Sequence, residues 1–334
     1  MAENARIEAG FAGRKVLVTG GLGFIGSNLA RRLADAGAHV LLVDSLIPEY
    51  GGNLFNIAGY EEKVRVNIAD VRDEHVMAYL VRDQDLIFNL AGQTSHLDSM
   101  LDPYTDLEMN CRSQLGILEA CRKQNASAKV VYASTRQIYG KPQYVPVDET
   151  HPLHPADVNG VHKMAGEWYH ILYHNVYGIR ACALRLTNTY GPRMRVKDAR
   201  QTFLGWWIRR LLEGLEGEVF GDGEQMRDFN YVDDAVEAML LAAVCSEADG
   251  RAMNLGSREV IKLRELAELM VEINGGGTVK IVPFPDERKA IDIGDYYSDY
   301  SVSSRTLGWT PRVGLREGLE RTLAYFRECR EHYW

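Results

Sequence analysis

Short apolar runs alternate with amphipathic stretches through the first half of the chain, the rhythm of a parallel β-sheet covered by helices on both faces. Lys15–Thr19 (KVLVT) reads as a buried strand, and residues 27–36 as the helix after it, closed by Gly37. The same pattern predicts strands at His39–Asp44, 63–68, 85–90, 129–134 and 180–186. Residues 105–125 carry Leu107, Cys111, Leu115 and Leu118 at spacings of four, four and three, which predicts one long helix. A further helix is expected at 161–176. Beyond Thr187 the rhythm loosens. A proline-bearing loop precedes an apolar helix at Phe203–Leu212, a short strand at 218–220 leads into GDGEQMRDF, and helices are expected at 233–243, 263–273 and 315–327. No linker separates the halves. The expected fold class is α/β, a doubly wound parallel sheet with a second, smaller substrate-binding domain growing out of it: residues 13–187 and 226–256 in the first, 188–225 and 257–334 in the second.

The first strand runs directly into TGGLGFIGSN. Gly20, Gly23 and Gly26, at intervals of three, let the backbone turn tightly, let a pyrophosphate approach, and let helix and strand pack closely. The helix N-terminus then offers unpaired N–H groups and a positive dipole end to phosphates. Asp44 ends the next strand 18 residues after Gly26, where a carboxylate accepts hydrogen bonds from an adenosine ribose and repels a 2′-phosphate. No lysine or arginine follows within residues 45–50, which favours NAD over NADP. Asp70, after the third strand, is placed either to reach the adenine edge or to cap the helix that begins near Asp73.

Bulk properties narrow the partners. The 334 residues carry a formal net charge of −8, against broad nucleic-acid binding, yet a few local arginines suffice for an anionic small molecule. Five scattered cysteines lack metal-ligand spacing and fit free thiols in a reducing compartment. No apolar run reaches signal-peptide or bilayer-spanning length, so a cytoplasmic protein with no membrane partner and no metal is expected.

Several motifs coincide in order: TGGLGFIGSN, NLAGQTSH at 89–96, YASTRQIYG at 132–140, LRLTNTYGPR at 184–193 and RDFNYVDD at 227–234. Together they closely resemble the extended short-chain dehydrogenase/reductase family, the NAD-dependent epimerases and dehydratases of nucleotide sugars. The resemblance implies a bound NAD that takes a hydride from a sugar carbon and usually returns it. It places Phe24, Ile25, Leu90, Ala91, Gly92 and Lys163 on the cofactor, and Ser134 and Thr135 at the segment whose hydroxyl meets the reacting sugar hydroxyl. It also implies a homodimer built on helices 105–125 and 161–176.

One position departs from the pattern. The family's base is a tyrosine four residues before the lysine, on the same helix face. Here that residue is Asn159, which does not titrate near neutral pH. Three readings stay open: another group takes the proton, with His96, His162 and Tyr139 as candidates; Thr135, Lys163 and water relay it; or catalysis is lost and the protein binds NAD or a nucleotide sugar. Family members that dehydrate carry an Asp–Glu pair after the hydroxyl residue, and decarboxylating members keep a Glu there. Arg136 and Gln137 occupy those positions here, which favours epimerisation over dehydration or decarboxylation.

On the substrate side the resemblance places Asn188 and Arg227 on the diphosphate and Val219 and Phe220 along the nucleotide. Arg288, with Asp292 or Asp295, matches a late phosphate or ribose contact. A guanidinium grips phosphate in bidentate fashion, and Arg193, Arg195 and Lys197 add local basic character.

Overall fold

In the computed structural model, which describes residues 10–199 and 202–334, seven parallel strands form the central sheet. They are β1 (Lys15–Thr19), β2 (His39–Asp44), β3 (Val64–Ile68), β4 (Leu86–Asn89), β5 (Lys129–Thr135), β6 (Ala181–Leu186) and β10 (Ala252–Asn254), in spatial order β10-β6-β5-β4-β1-β2-β3. Alternation sends the side chains of β1 to two cores. Val16 and Val18 join Leu29 and Leu33 of the helix Phe24–Asp35 on one face. Leu17 joins Met77, Ile117 and Tyr173 of the other helical layer. Strand order reverses beside β1, which pairs with β2 on one side and β4 on the other. That switch opens a crevice beyond the carboxyl ends of the strands.

The C-terminal half contributes two small sheets. Strands β7 (Asn188–Tyr190), β9 (Met226–Tyr231) and β11 (Val260–Lys262) form one, and β8 (Gly217–Phe220) pairs with β12 (Val279–Val282) in the other. Only β8 has an expected counterpart here. The others are three to six residues long with polar members, too short and mixed for a period to emerge.

Three helices differ from expectation; the one expected at 161–176 runs Val158–Tyr177, so Asn159 lies in its first turn. The first helix of the chain begins at Phe24, three residues before the expected start, because Gly26, Ser27 and Asn28 belong to its buried side. The segment 105–125 is helix Pro103–Leu107, a π-turn at Glu108–Arg112, and helix Ser113–Gln124. Its inward face is polar: Asp106, Asn110 and Gln114 have no exposed surface, whereas Leu107 is 36% exposed. Of the apolar spacing, Leu118 packs into the helical core with Ile117 and Cys121, Cys111 and Leu115 are half-buried, and Leu107 is exposed, so a polar face toward the crevice runs beside an apolar one.

The glycine turn carries the tightest constraint. A Cβ on Gly26 would lie 2.2 Å from the Gly20 carbonyl oxygen, inside van der Waals contact with rigid backbone. Gly26→Ala is therefore expected to destabilise the protein by roughly 1–3 kcal/mol and to abolish NAD binding. Thermal unfolding with and without NAD checks it; a variant with wild-type stability and affinity would contradict the packing.

Candidate functional site

A cleft of about 740 Å³ runs along the carboxyl ends of the strands. Its cofactor end is formed by Gly20, Gly23, Phe24, Ile25 and Gly26 together with Asp44. The Asp44 carboxylate accepts from Leu22 N at 3.0 Å and Leu46 N at 2.9 Å, and burial raises its pKa against those two bonds. Each oxygen keeps a lone pair for a further donor. Leu90, Ala91 and Gly92 form the adjoining wall, with the Leu90 and Ala91 N–H groups fixed on Thr19 Oγ1. The glycine cradle and the ribose-facing carboxylate fit a dinucleotide. Asp70 is placed differently: its carboxylate is gripped by Arg72 at 2.6 Å, and the neighbouring Ala69 and Val71 border the cleft instead. It caps no helix either, since Asp73 accepts from His75 N and Val76 N.

At the centre, β5 delivers Ser134 and Thr135, and the helix Val158–Tyr177 delivers Asn159 and Lys163. Strand alternation separates the two hydroxyls. Ser134 Oγ donates to the buried Glu167 at 2.6 Å, and Glu167 is also gripped by Arg185. The Thr135 hydroxyl accepts from Gln137 N at 3.2 Å on the cleft side. Both residues line the cleft, but the Ser134 hydrogen is committed to Glu167, whereas among the described residues the Thr135 hydroxyl only accepts and keeps its hydrogen for a ligand. Lys163 Nζ donates to Ala133 O at 2.5 Å and sits 4.4 Å from the centre of the Tyr132 ring. Burial pulls its pKa down to about 8, with Asp106 and Glu167 opposing the shift.

Asn159 is bound into a scaffold. Its Nδ2 donates to Gln93 O at 2.8 Å and to Asp106 Oδ2 at 3.0 Å, while Asn110 Nδ2 binds the same two residues. His162 turns its Nδ1 to Asp106 Oδ1 at 2.7 Å, beneath the site and away from the cleft lining. Tyr139, also a proton-acceptor candidate, is fully buried between Arg185 and Asn254, and burial holds its pKa far above neutrality. His96 is different. It borders the cleft at the N-terminus of the helix His96–Leu101, with Nδ1 2.9 Å from Asp157 Oδ2.

Asp157 is the N-cap of the helix Val158–Tyr177 and accepts from Gly160 N at 2.6 Å and Gln137 Nε2 at 2.8 Å. Burial pushes its pKa up, but His96 and these donors outweigh that and hold it below the usual carboxylate range. The sequence reading did not single out Asp157, although a carboxylate immediately before a helical run is a capping signal. Asp106 and Gln93 carried no such signal, because their role depends on three segments meeting.

At the substrate end, Asn188 accepts from Arg136 Nη2 at 2.8 Å and donates to Asp228 O. Arg227 is anchored to the Gly294 carbonyl and lies 3.5 Å from Asp292, and burial with the nearby Arg136 charge lowers its pKa to about 10. Arg288 lies over the Phe220 ring. Phe220 lines the cleft, but the Val219 side chain points into the core, because successive residues of β8 face opposite sides. Asp292 is held by Gln225, and Asp295 accepts from Met226 N.

Residues 16–256 match the sequence profile described as the NAD dependent epimerase/dehydratase family. The chain belongs to this family. A putative UDP-glucose 4-epimerase of Methanocaldococcus jannaschii is 33% identical over 314 residues, covering 93% of this chain and 98% of that protein. A solved UDP-glucose 4-epimerase from Thermotoga maritima, with UDP-glucose, superposes with a TM-score of 0.86 at 32% identity, covering 94% of this chain and 99% of the other. A dTDP-glucose 4,6-dehydratase from Streptomyces venezuelae, solved with NAD, gives 0.87 at 27% identity over 95% and 98%. As in the rest of the epimerase/dehydratase family, the cofactor is NAD, and the Gly20–Gly26 turn with Asp44 is the cradle that fits it. Among the described residues no group of His, Cys, Asp and Glu side chains is arranged to hold a metal, and no helix is long and apolar enough to cross a membrane.

Two outcomes follow from the centre of the site. Lys163→Met is expected to lose turnover and weaken NAD binding while leaving the NAD-free protein at least as stable at pH 7. The wild-type amine is charged below about pH 8 in the fold and below 10.5 when unfolded, so the folded state binds fewer protons between those values. Wild-type stability should thus rise relative to the variant across that window, by about 1–3 kcal/mol. Unfolding at pH 7 and pH 10 checks the sign. Separately, Thr135→Ala should lower kcat by about a hundredfold, whereas Ser134→Ala should cost stability of about 1 kcal/mol and keep most turnover.

Proposed function

We propose that the protein is a nucleotide-sugar epimerase in which His96, held by Asp157, takes the proton that a tyrosine takes elsewhere in the family. The observation that carries this is the pair itself. An imidazole base is helped by a buried carboxylate beside its other nitrogen, and His96 Nδ1 lies 2.9 Å from Asp157 Oδ2, at ion-pair distance, with the ring on the cleft lining. NAD, when bound, supplies the hydride acceptor and donor.

On this reading Thr135 hydrogen-bonds the reacting hydroxyl and His96 Nε2 accepts its proton. Asp157 stabilises the imidazolium that results, and the same proton is returned when the alcohol re-forms. Lys163 holds the nicotinamide ribose, and its positive charge favours loss of the hydroxyl proton nearby. Asn159 keeps the helix and the 93–96 loop in register and moves no proton. Arg136 and Gln137 support epimerisation over water or CO₂ loss. Gln137 donates to Asp157 and Arg136 to Asn188, and neither is an acid or base at neutral pH.

Residues 13–187 and 226–256 would hold NAD, and residues 188–225 and 257–334 the nucleotide diphosphate, through Arg227 and Arg288. The outer faces of two helical segments support a homodimer: Val161, Trp168, Leu172 and Val176 are exposed on one, Leu101 and Tyr104 on the other. Five free cysteines suit the reducing cytoplasm.

The test is turnover of UDP-, CDP-, GDP- and dTDP-sugars read by mass spectrometry. An isomer of unchanged mass is expected; loss of water or CO₂ would overturn the epimerase reading. His96→Asn and Asp157→Asn should each lower kcat by about a hundredfold or more with NAD still bound. Wild-type kcat in both would remove His96 from the mechanism. Asn159→Tyr should fail to raise kcat and should lower stability by about 1–3 kcal/mol, because Asp106 loses a donor. Light scattering should give a dimer mass.

A further inference from the structure

Among the described residues Arg136 is a cation on the cleft lining with no ion-paired anion. Its Nη2 donates to Asn188 Oδ1 at 2.8 Å, and the guanidinium lies 5.2 Å from the centre of the fully buried Tyr296 ring. Among the described residues no carboxylate forms an ion pair with it. The three acids whose field reaches it have other partners. Asp228 accepts from Thr187 and Ser298, Asp292 from Gln225 and Gly294, and Asp157 from Gly160 and Gln137. Burial lowers the pKa of Arg136 despite those acids, so the charge is held at a cost. The other arginines of the cleft differ: Arg195 is paired with Asp198 and Arg227 lies beside Asp292, while Arg288 is half-exposed over an aromatic ring.

A guanidinium has five N–H donors, and the described residues engage one of them here. With one Nη2 hydrogen on the amide, the other Nη2 hydrogen remains, and with Nε–H or Nη1–H beside it one two-donor edge stays open. Two parallel N–H groups on a planar edge match the two oxygens of a carboxylate. Position matters as much as charge. Arg136 directly follows Thr135, whose hydroxyl keeps its hydrogen for a ligand, so its guanidinium borders the reacting end of the site. Asn188 anchors it there by its only acceptor oxygen.

We propose that Arg136 binds a carboxylate carried by the sugar, so that the preferred substrate is a nucleotide-activated uronic or otherwise acidic sugar and not a neutral hexose. This rests on the nucleotide-sugar reading above and adds the charge of the sugar to it. The alternative source of the same chemistry is the diphosphate, with Arg136 as a third phosphate ligand beside Arg227 and Arg288.

Calorimetric titration of the NAD-loaded protein with UDP-glucuronate, UDP-glucose and UDP separates the two. The wild type is expected to bind the glucuronate at least about tenfold more tightly than the glucose. Arg136→Met should bring that ratio close to one, and Arg136→Gln, which keeps a polar tip, should do the same if the methionine variant folds poorly. A wild-type ratio near one, or a ratio that both variants leave intact while UDP itself weakens, overturns the proposal and assigns the guanidinium to the diphosphate. Binding of UDP alone with no preference between the sugars leaves the nucleotide-sugar reading standing and removes only this inference. Failure of all three, and of the CDP, GDP and dTDP counterparts, removes both.

Discussion

A carboxylate with no access to water holds the centre of this protein together. Asp106 has no exposed surface, and it accepts from Asn110 on its own helical segment and from Asn159 and His162 on the helix Val158–Tyr177. Gln93 joins the same knot through its carbonyl, which takes donors from both asparagines. A buried carboxylate is tolerated only when its oxygens are satisfied and a positive charge lies near, because desolvation of an unpaired ion costs several kcal/mol. Three amide or imidazole donors and the ammonium of Lys163 meet that requirement. The same bonds fix the helix that carries Lys163 against the loop that carries His96, so the two ends of the reaction site share one anchor.

The anchor explains why the inward face of the segment 103–124 is polar. Asp106, Asn110 and Gln114 follow one another at intervals of four, a stripe that would be apolar in an ordinary core helix. The π-turn at Glu108–Arg112 adds a residue to the helical winding between them and lets Asn110 reach Gln93 O and Asp106 together. Further along, Ile117, Leu118 and Cys121 return the buried side to an apolar core, while Tyr104 and Leu107 stay exposed.

How far the fold was legible depends on what each segment buries. Strands β1 and β2 could be bounded to the residue, because both of their faces are covered and an apolar run lies between a polar residue at the exposed start and the turn that follows. The glycine turn was legible because only glycine fits at Gly20 and Gly26, where a side chain would strike backbone. Strands β7, β9, β11 and β12 were not, since their registers are set by partners far away in sequence, and a three-residue polar strand has no period. In the site, residues that meet the cofactor through local backbone geometry could be assigned in advance. Asp70 and Val219 lay one step off in register. Each has neighbours on the cleft and a side chain directed elsewhere, and a one-residue offset in an extended segment reverses which side chain faces the ligand.

The absent tyrosine is best understood through the same knot. At position 159 the helix faces Gln93 and Asp106, whose acceptors need donors, and an amide nitrogen with two hydrogens can serve both. A phenol has one hydrogen and a longer reach, so it would leave one acceptor unsatisfied and carry its oxygen past the other. The position therefore supports the site, and on the proposed mechanism the proton is handled from elsewhere on its rim. His96 lies on that rim, one helical turn of loop and helix away from Gln93, and its acceptor Asp157 caps the helix that begins with Val158. An N-cap carboxylate already lies in a positive backbone field. The His96 ring and the Gly160 and Gln137 donors hold its pKa below the usual carboxylate range against burial, so on the proposed mechanism it is ionised beside the imidazole that takes up the proton.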